Sequence, residues 1–172
     1  MSRYKLAPLV VFALVMASVP TLAACSQEEA LIYTSADDVA VDAAVKEARR
    51  TLPVFWTKFD AQAPGYGAFA LKVGLDADGT RMEIEHIWVD NLARANGKVF
   101  GHLANEPVAL AGLSEGSRVE VEASRITDWQ YAKDGKLYGH FTTRALSPKA
   151  NAEQRALTAE LFAPTPLEAG TN

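Results

Sequence analysis

The side chains of this chain that could carry chemistry are few: Cys25, the three histidines His86, His102 and His140, and a cluster of rings near the last strong turn. A histidine ring can act as a general base near neutral pH. Each of the three is therefore a candidate for hydrolase-like chemistry with a serine or threonine hydroxyl. No Gly-x-Ser-x-Gly elbow accompanies them, and a nucleophile–base pair is recognised by geometry rather than by chain order. Metal chemistry has one place to start: Glu83, Glu85, His86 and Asp90. On a strand the first two point one way and the last two the other. That pattern predicts a solvated face for Glu83 and Glu85 and a hydrogen-bonded, near-core place for His86. Paired Cys/His spacings, phosphate loops and dinucleotide fingerprints are all missing from the sequence, so no metal and no cofactor is expected.

The hairpin around Asp134-Gly135 offers recognition instead. A two-residue turn there sets Lys133 opposite Lys136, Tyr131 opposite Tyr138, Trp129 opposite His140, Thr127 opposite Thr142 and Arg125 opposite Arg144. Rings beside a histidine and an arginine suit a small polar-aromatic ligand or a protein partner. Trp129, Tyr131, Tyr138, His140 and Arg144 are thus the expected binding residues, partly exposed and contiguous. The opposing reading has the rings covering the core, with their polar atoms bonded inside. Glu106, in Asn105-Glu106-Pro107, is a sixth candidate. Its carboxylate, on a loop beside a barrel mouth, could hold a cationic group; the plainer alternative is a polar turn.

Cys25 is the sole cysteine and directly follows Leu22-Ala23-Ala24. Upstream, Arg3 and Lys5 precede an uncharged apolar stretch from Leu9 to Val19. That order is the order of an export signal, and the run is shorter than the ~20 residues of a bilayer crossing. The Leu-Ala-Ala-Cys ending resembles a bacterial lipoprotein signal. The resemblance implies cleavage before Cys25 and acylation of its thiol and amine, making the membrane a partner through a lipid anchor. Each buried methylene contributes roughly 0.8 kcal/mol, so several chains hold a protein where one would not. Ser26, where an aspartate would imply the inner membrane, implies the outer membrane with the domain facing the periplasm.

The 148 residues after Ala24 are one domain's worth. A chain of that size needs neither metal nor disulfide to fold, and its one thiol is already spoken for. Formal net charge is −4, and the leader holds two of the 17 basic residues and no acid. The exported part is thus more negative still, which repels a phosphate backbone; nucleic acid is not an expected partner.

The elements that must position these residues emerge from periodicity. Val41, Val45, Ala48 and Leu52 recur at helical spacing after a capping Asp37 or Asp38. Pro53 should stop or kink that helix, with Thr51 capping a second short one that buries Phe55, Trp56 and Phe59. From Phe69 the period becomes two, and strands are predicted over Phe69–Leu75, Met82–Asn91, Val99–Leu103, Val119–Tyr131 and Leu137–Leu146. A bulge near Ser124 or Arg125 is needed to reconcile inward Val119 and Val121 with Ile126. Leu157, Leu161 and Phe162 suggest a terminal helix. The predicted fold is α+β: an N-terminal helix or kinked helix pair on a curved antiparallel sheet or small partly closed barrel of about five strands, with a C-terminal helix. Its divisions are a signal over 1–24, a tether over 25–38, a single domain over 39–162 and a flexible tail over 163–172.

Several segments in order carry a resemblance. They are Ala48-Arg49-Arg50-Thr51-Leu52-Pro53-Val54-Phe55-Trp56, Glu85-His86-Ile87-Trp88-Val89, Asn105-Glu106-Pro107, Ile126-Thr127-Asp128-Trp129, and Gly135 through Arg144. Together they resemble the YegJ-like bacterial domain of unknown function. The resemblance implies one compact domain and assigns no activity or site residue. The expected function is a cell-envelope lipoprotein whose domain binds a ligand or a protein. A His-based hydrolase and an immunity-type inhibitor of an envelope toxin are the alternatives.

Overall fold

A computed structural model describes residues 39–78 and 82–170. Cys25, the leader, the tether and the capping aspartates lie outside the described residues. Helix α1 runs unbroken over Val39–Ala61 with Pro53 inside it. The expected break at Pro53 does not form, because tertiary packing outweighs one missing helical hydrogen bond. Ala48, Thr51 and Phe55 are buried on one face of α1. The indole of Trp129 donates to the Ala48 carbonyl at 2.9 Å, and Arg49 donates to the Ile126 carbonyl at 2.8 Å. Phe55 is ringed by Trp56, Phe59, Phe69 and Trp129 at centroid distances of 4.9, 6.1, 5.7 and 5.9 Å.

Six antiparallel strands come after α1: β1 (Tyr66–Asp76), β2 (Ile84–Ala95), β3 (Lys98–Leu103), β4 (Arg118–Val121), β5 (Ile126–Lys133) and β6 (Lys136–Gly139), in spatial order β4-β3-β2-β1-β5-β6. Val121 and Ile126 are only five residues apart, a reach of at most ~18 Å. In a flat sheet the four spacings from β4 to β5 would already take ~19 Å. The sheet must therefore curl, and a cleft of about 80 Å³ is left where β1 comes opposite Glu120 of β4, Glu122 and Arg125.

The expected strand from Val119 to Tyr131 is in fact two strands separated by a 3₁₀ turn at Ala123–Arg125. That turn resolves the parity conflict. Leu71, Val73, Ile87, Val89, Leu103, Val121, Ile126, Trp129 and Tyr131 all enter one core with α1. Glu85 joins the inward set rather than a solvated face; only 6% exposed, it accepts from Val108 N at 2.8 Å and Ala109 N at 2.7 Å.

The last hairpin begins as expected: Lys133 pairs with Lys136 and Tyr131 with Tyr138. The strand then stops at Gly139 instead of running to Leu146, and α2 occupies Phe141–Leu146. Helix α3 spans Ala152–Leu161 behind a capping box made by Asn151 and Gln154. The expected flexible tail is docked over residues 163–168. Ala163 N donates to the Leu137 carbonyl and Gly139 N to the Pro166 carbonyl, at 2.9 and 2.8 Å. Those bonds satisfy the outer edge of β6, which would otherwise present unpaired backbone groups.

Candidate functional site

The turn from β6 into α2 is set by one carboxylate and one glycine. Asp128 is fully buried and accepts from Trp129 N, Phe141 N, Thr142 N and the Thr142 hydroxyl at 2.8, 3.1, 2.7 and 2.7 Å. It caps the first turn of α2 from a neighbouring strand, supplying an acceptor for amides that have no intrahelical partner. Burial pushes its pKa up, against the four bonds that favour the charged form. Gly139 sits at φ +79°, and a Cβ there would lie 2.0 Å from the Trp129 carbonyl oxygen. Only glycine fits, so this residue fixes where the strand ends.

His140 comes next, in the left-handed region at φ 54°. Its ring is stacked on Phe162 and meets Trp88 at a tilt, at centroid distances of 4.4 and 5.0 Å. Nδ1 lies 3.4 Å from the Thr143 hydroxyl, and Nε2 is buried with no partner. Burial first, then the charges of Arg144 and Lys72, push its pKa down to about 3. A ring that stays neutral to that depth is ill matched to general-base work near neutral pH.

Of the six expected binding residues, the structure brings only some together at a surface. Trp129 and Tyr131 are both 0% exposed. They stack on each other at 5.6 Å, and Tyr138 stacks on Tyr131 at 5.3 Å. The contiguous exposed face is therefore not formed, because the α1 side of the sheet is where these rings point. The Thr127–Thr142 and Arg125–Arg144 oppositions are likewise lost to α2. Glu106 accepts from Glu115 N at 2.9 Å and so ties one loop to the next. Arg144 turns back to donate to the Gly139 carbonyl at 2.9 Å and the Leu137 carbonyl at 3.4 Å, with its guanidinium 5.0 Å from the Phe162 ring centre.

Arg144 opens onto a groove of about 400 Å³ between β6, α2, α3 and the first tail residues. Lys136, Arg144 and Arg155 supply three cations, Ser147 and Thr158 two hydroxyls, and Phe162 an aromatic wall; no carboxylate side chain is in the lining. Lys136 donates to the Glu160 backbone carbonyl and Arg155 to the Ala150 carbonyl. Among the described residues, none of the three cations is in a salt bridge. A guanidinium carries five N–H donors, so both arginines keep donors in hand. Two forks and an ammonium on one wall are suited to a carboxylate or phosphate group.

Residues 38–160 match a family described as "Uncharacterized protein conserved in bacteria (DUF2314)". The chain belongs to that family. It is similar to the "Putative ankyrin repeat protein NMB1133/NMB1171" of Neisseria meningitidis serogroup B (strain ATCC BAA-335 / MC58). The two are 32% identical over 133 residues, covering 74% of this chain and 53% of the relative, so the chain spans about half that relative's length. It is also similar to the "Uncharacterized protein YegJ" of Escherichia coli (strain K12), 27% identical over 132 residues, 73% of this chain and 81% of that one. No solved structure matches. The YegJ-like resemblance read from the motifs is thus shown.

The DUF2314 match takes in Lys136, Arg144, Ser147, Arg155 and Thr158 and stops before the tail. Sequence reasoning missed the groove, although a signal was present. From Lys136 to Arg155 stand four cations, Lys136, Arg144, Lys149 and Arg155, against the single acid Glu153, in a chain of net charge −4. The hydrolase reading finds two histidine–hydroxyl pairs, His140–Thr143 and His86–Thr127, the latter at 3.3 Å. Among the described residues' hydrogen bonds no carboxylate orients either ring. Nor do any three metal-binding side chains converge among the described residues, and none of the described helices is long and apolar enough to cross a membrane.

Proposed function

We propose that this chain is a lipid-anchored cell-envelope protein whose DUF2314 domain binds an anionic ligand in the groove between β6, α2 and α3. One observation carries the binding half. Three cations, Lys136, Arg144 and Arg155, line a single concavity without a carboxylate, on a chain that is otherwise negative. A small molecule bearing a carboxylate or phosphate, with an apolar part to lie on Phe162, fits that chemistry. The anchor half rests on Cys25 directly after Leu22-Ala23-Ala24. By the same signal the domain faces the periplasm from the outer membrane.

The two halves are tested separately. Cys25→Ser should abolish metabolic palmitate labelling; labelling that survives the change removes the anchor. For the groove, citrate and inorganic phosphate should each raise the melting temperature above that in sodium chloride of equal ionic strength. A ligand at 100 times its Kd adds roughly 2.7 kcal/mol. Arg155→Ala should erase the increment. An increment equal in the variant would place any anion binding elsewhere.

A further inference from the structure

The segment after α3 is seated like a bound peptide. Phe162 forms a parallel bridge with Leu137, and the backbone bonds from Ala163 and Gly139 continue that pairing along the outer edge of β6. The segment then bends through residues 164–167, where the Thr165 hydroxyl donates to the Leu167 carbonyl at 2.7 Å. It ends with the Glu168 carboxylate, only 11% exposed, in a cradle drawn from three elements. Tyr66 and Tyr131 donate their hydroxyls at 3.0 and 2.9 Å. Lys58 of α1 pairs at 3.1 Å and Lys133 of β5 also donates. Lys58 further donates to the Tyr66 hydroxyl at 3.1 Å, so the cradle is braced within itself.

This arrangement is strand addition with carboxylate capture: main-chain bonds along a sheet edge, and a charged pocket at the end. Every donor of the cradle lies between residues 58 and 133, inside the 38–160 span of the family, whereas the carboxylate that fills it comes from outside that span. Among the described residues neither lysine pairs with any other carboxylate. Without Glu168 two ammonium groups would face one another with only phenol oxygens as acceptors and no opposite charge between them, a costly state that an incoming carboxylate relieves.

We propose that the β6 edge and the cradle of Lys58, Tyr66, Tyr131 and Lys133 form a receiving site for an acidic peptide of a partner protein, held closed in cis by residues 162–168. The site goes beyond the anion groove: Phe162, Ala163 and Pro164 border both, but the cations that would hold each ligand differ, so charge-directed tests tell the two apart. The cradle's cations are Lys58 and Lys133, where the groove uses Lys136, Arg144 and Arg155.

The test uses the full chain and a fluorescent synthetic peptide with the sequence of residues 162–172. Glu168→Ala weakens the chain's own tail, so the peptide should bind this variant at least about tenfold more tightly than it binds the unaltered protein, whose competent fraction is small. A peptide carrying Gln at the Glu168 position should bind at least about tenfold more weakly. Equal affinity for variant and parent, or for the Glu and Gln peptides, overturns the proposal, provided near-ultraviolet dichroism shows the variant folded. Should Glu168→Ala fail to fold, hydrogen exchange on the unaltered chain decides. The amides of Ala163 and Gly139 should exchange through an opening well below global unfolding, while that of Trp129 should not. Exchange of all three through global unfolding alone would make the tail a fixed part of the fold and end the proposal.

Discussion

Asp128 and Glu168 are both carboxylates withdrawn from water against the same hairpin, and their surroundings could hardly differ more. Asp128 is met by three backbone amides and one hydroxyl, all neutral. Burial wins, and its pKa is pushed up. Glu168 is met by two ammonium groups and two phenols. Burial again pushes upward, but the bonds from Lys133, Lys58, Tyr131 and Tyr66 hold its pKa down to about 2. The contrast separates two uses of a buried charge. Donors fixed in the backbone of one turn recognise one carboxylate at one place in the chain. Side chains gathered from α1, β1 and β5 offer charge to any carboxylate that reaches them.

The largest expected effect breaks the Asp128 end. Asp128→Ala leaves three buried donors of α2 without an acceptor, at about 1–3 kcal/mol each, for a total of at least about 3 kcal/mol. Trp129→Ala should cost a similar ~3–5 kcal/mol through the cavity it opens against Phe55 and Tyr131. Urea melts read both, and a loss under about 1 kcal/mol for either would return that residue to the surface.

Acid comes next. His140 keeps its proton off to about pH 3 when folded, against an ordinary value of 6.5. The unfolded chain therefore binds that proton first, and stability present above pH 6.5 is lost as the pH falls toward 3. Between pH 7 and 5 the loss should be about 2 kcal/mol. His86, also lowered, by burial and then by Lys72 and Arg49, works in the same sense. Glu168 adds its own loss only below its ordinary 4.5, on the way to 2. His140→Asn, which tolerates the left-handed backbone, should flatten the fall in urea midpoint from pH 7 to 5. An unchanged slope would contradict the assignment.

Glu168→Gln should cost about 1.5 kcal/mol, because charged hydrogen bonds are lost while the tail's backbone bonds remain. Added salt should shrink that difference, as it would not for Asp128→Ala. Smallest of all, Arg155→Ala should leave stability within about 0.5 kcal/mol, as exposed substitutions do.

The sequence made the sheet side of the molecule readable and hid the other. Alternation over Phe69–Leu75 and the Asp134-Gly135 turn revealed β1 and the register of β5 with β6 directly, since both are local signals. The continuity of α1 through Pro53 was not readable, because contacts with β5, far along the chain, decide it. Nor was the end of β6. Gly139 and His140 look like strand residues until Asp128, far back on β5, is seen to cap helix α2. The groove depends on that hidden turn, so Lys136, Arg144 and Arg155 stayed scattered in the sequence. The docked tail was missed for a related reason: Glu168 finds its donors 35 or more positions upstream.

The most direct measurement is a titration of the ¹⁵N-labelled protein with citrate, tracking backbone amides and arginine Nε–H signals. The signals of Arg144 and Arg155 and the amides around Lys136, Ser147 and Thr158 should shift together and saturate, while those of Arg94 on β2 and Arg125 in the 3₁₀ turn, each paired with an aspartate, should not. Shifts spread over all arginines without saturation, or confined to Arg94 and Arg125, would contradict an anion site between β6, α2 and α3.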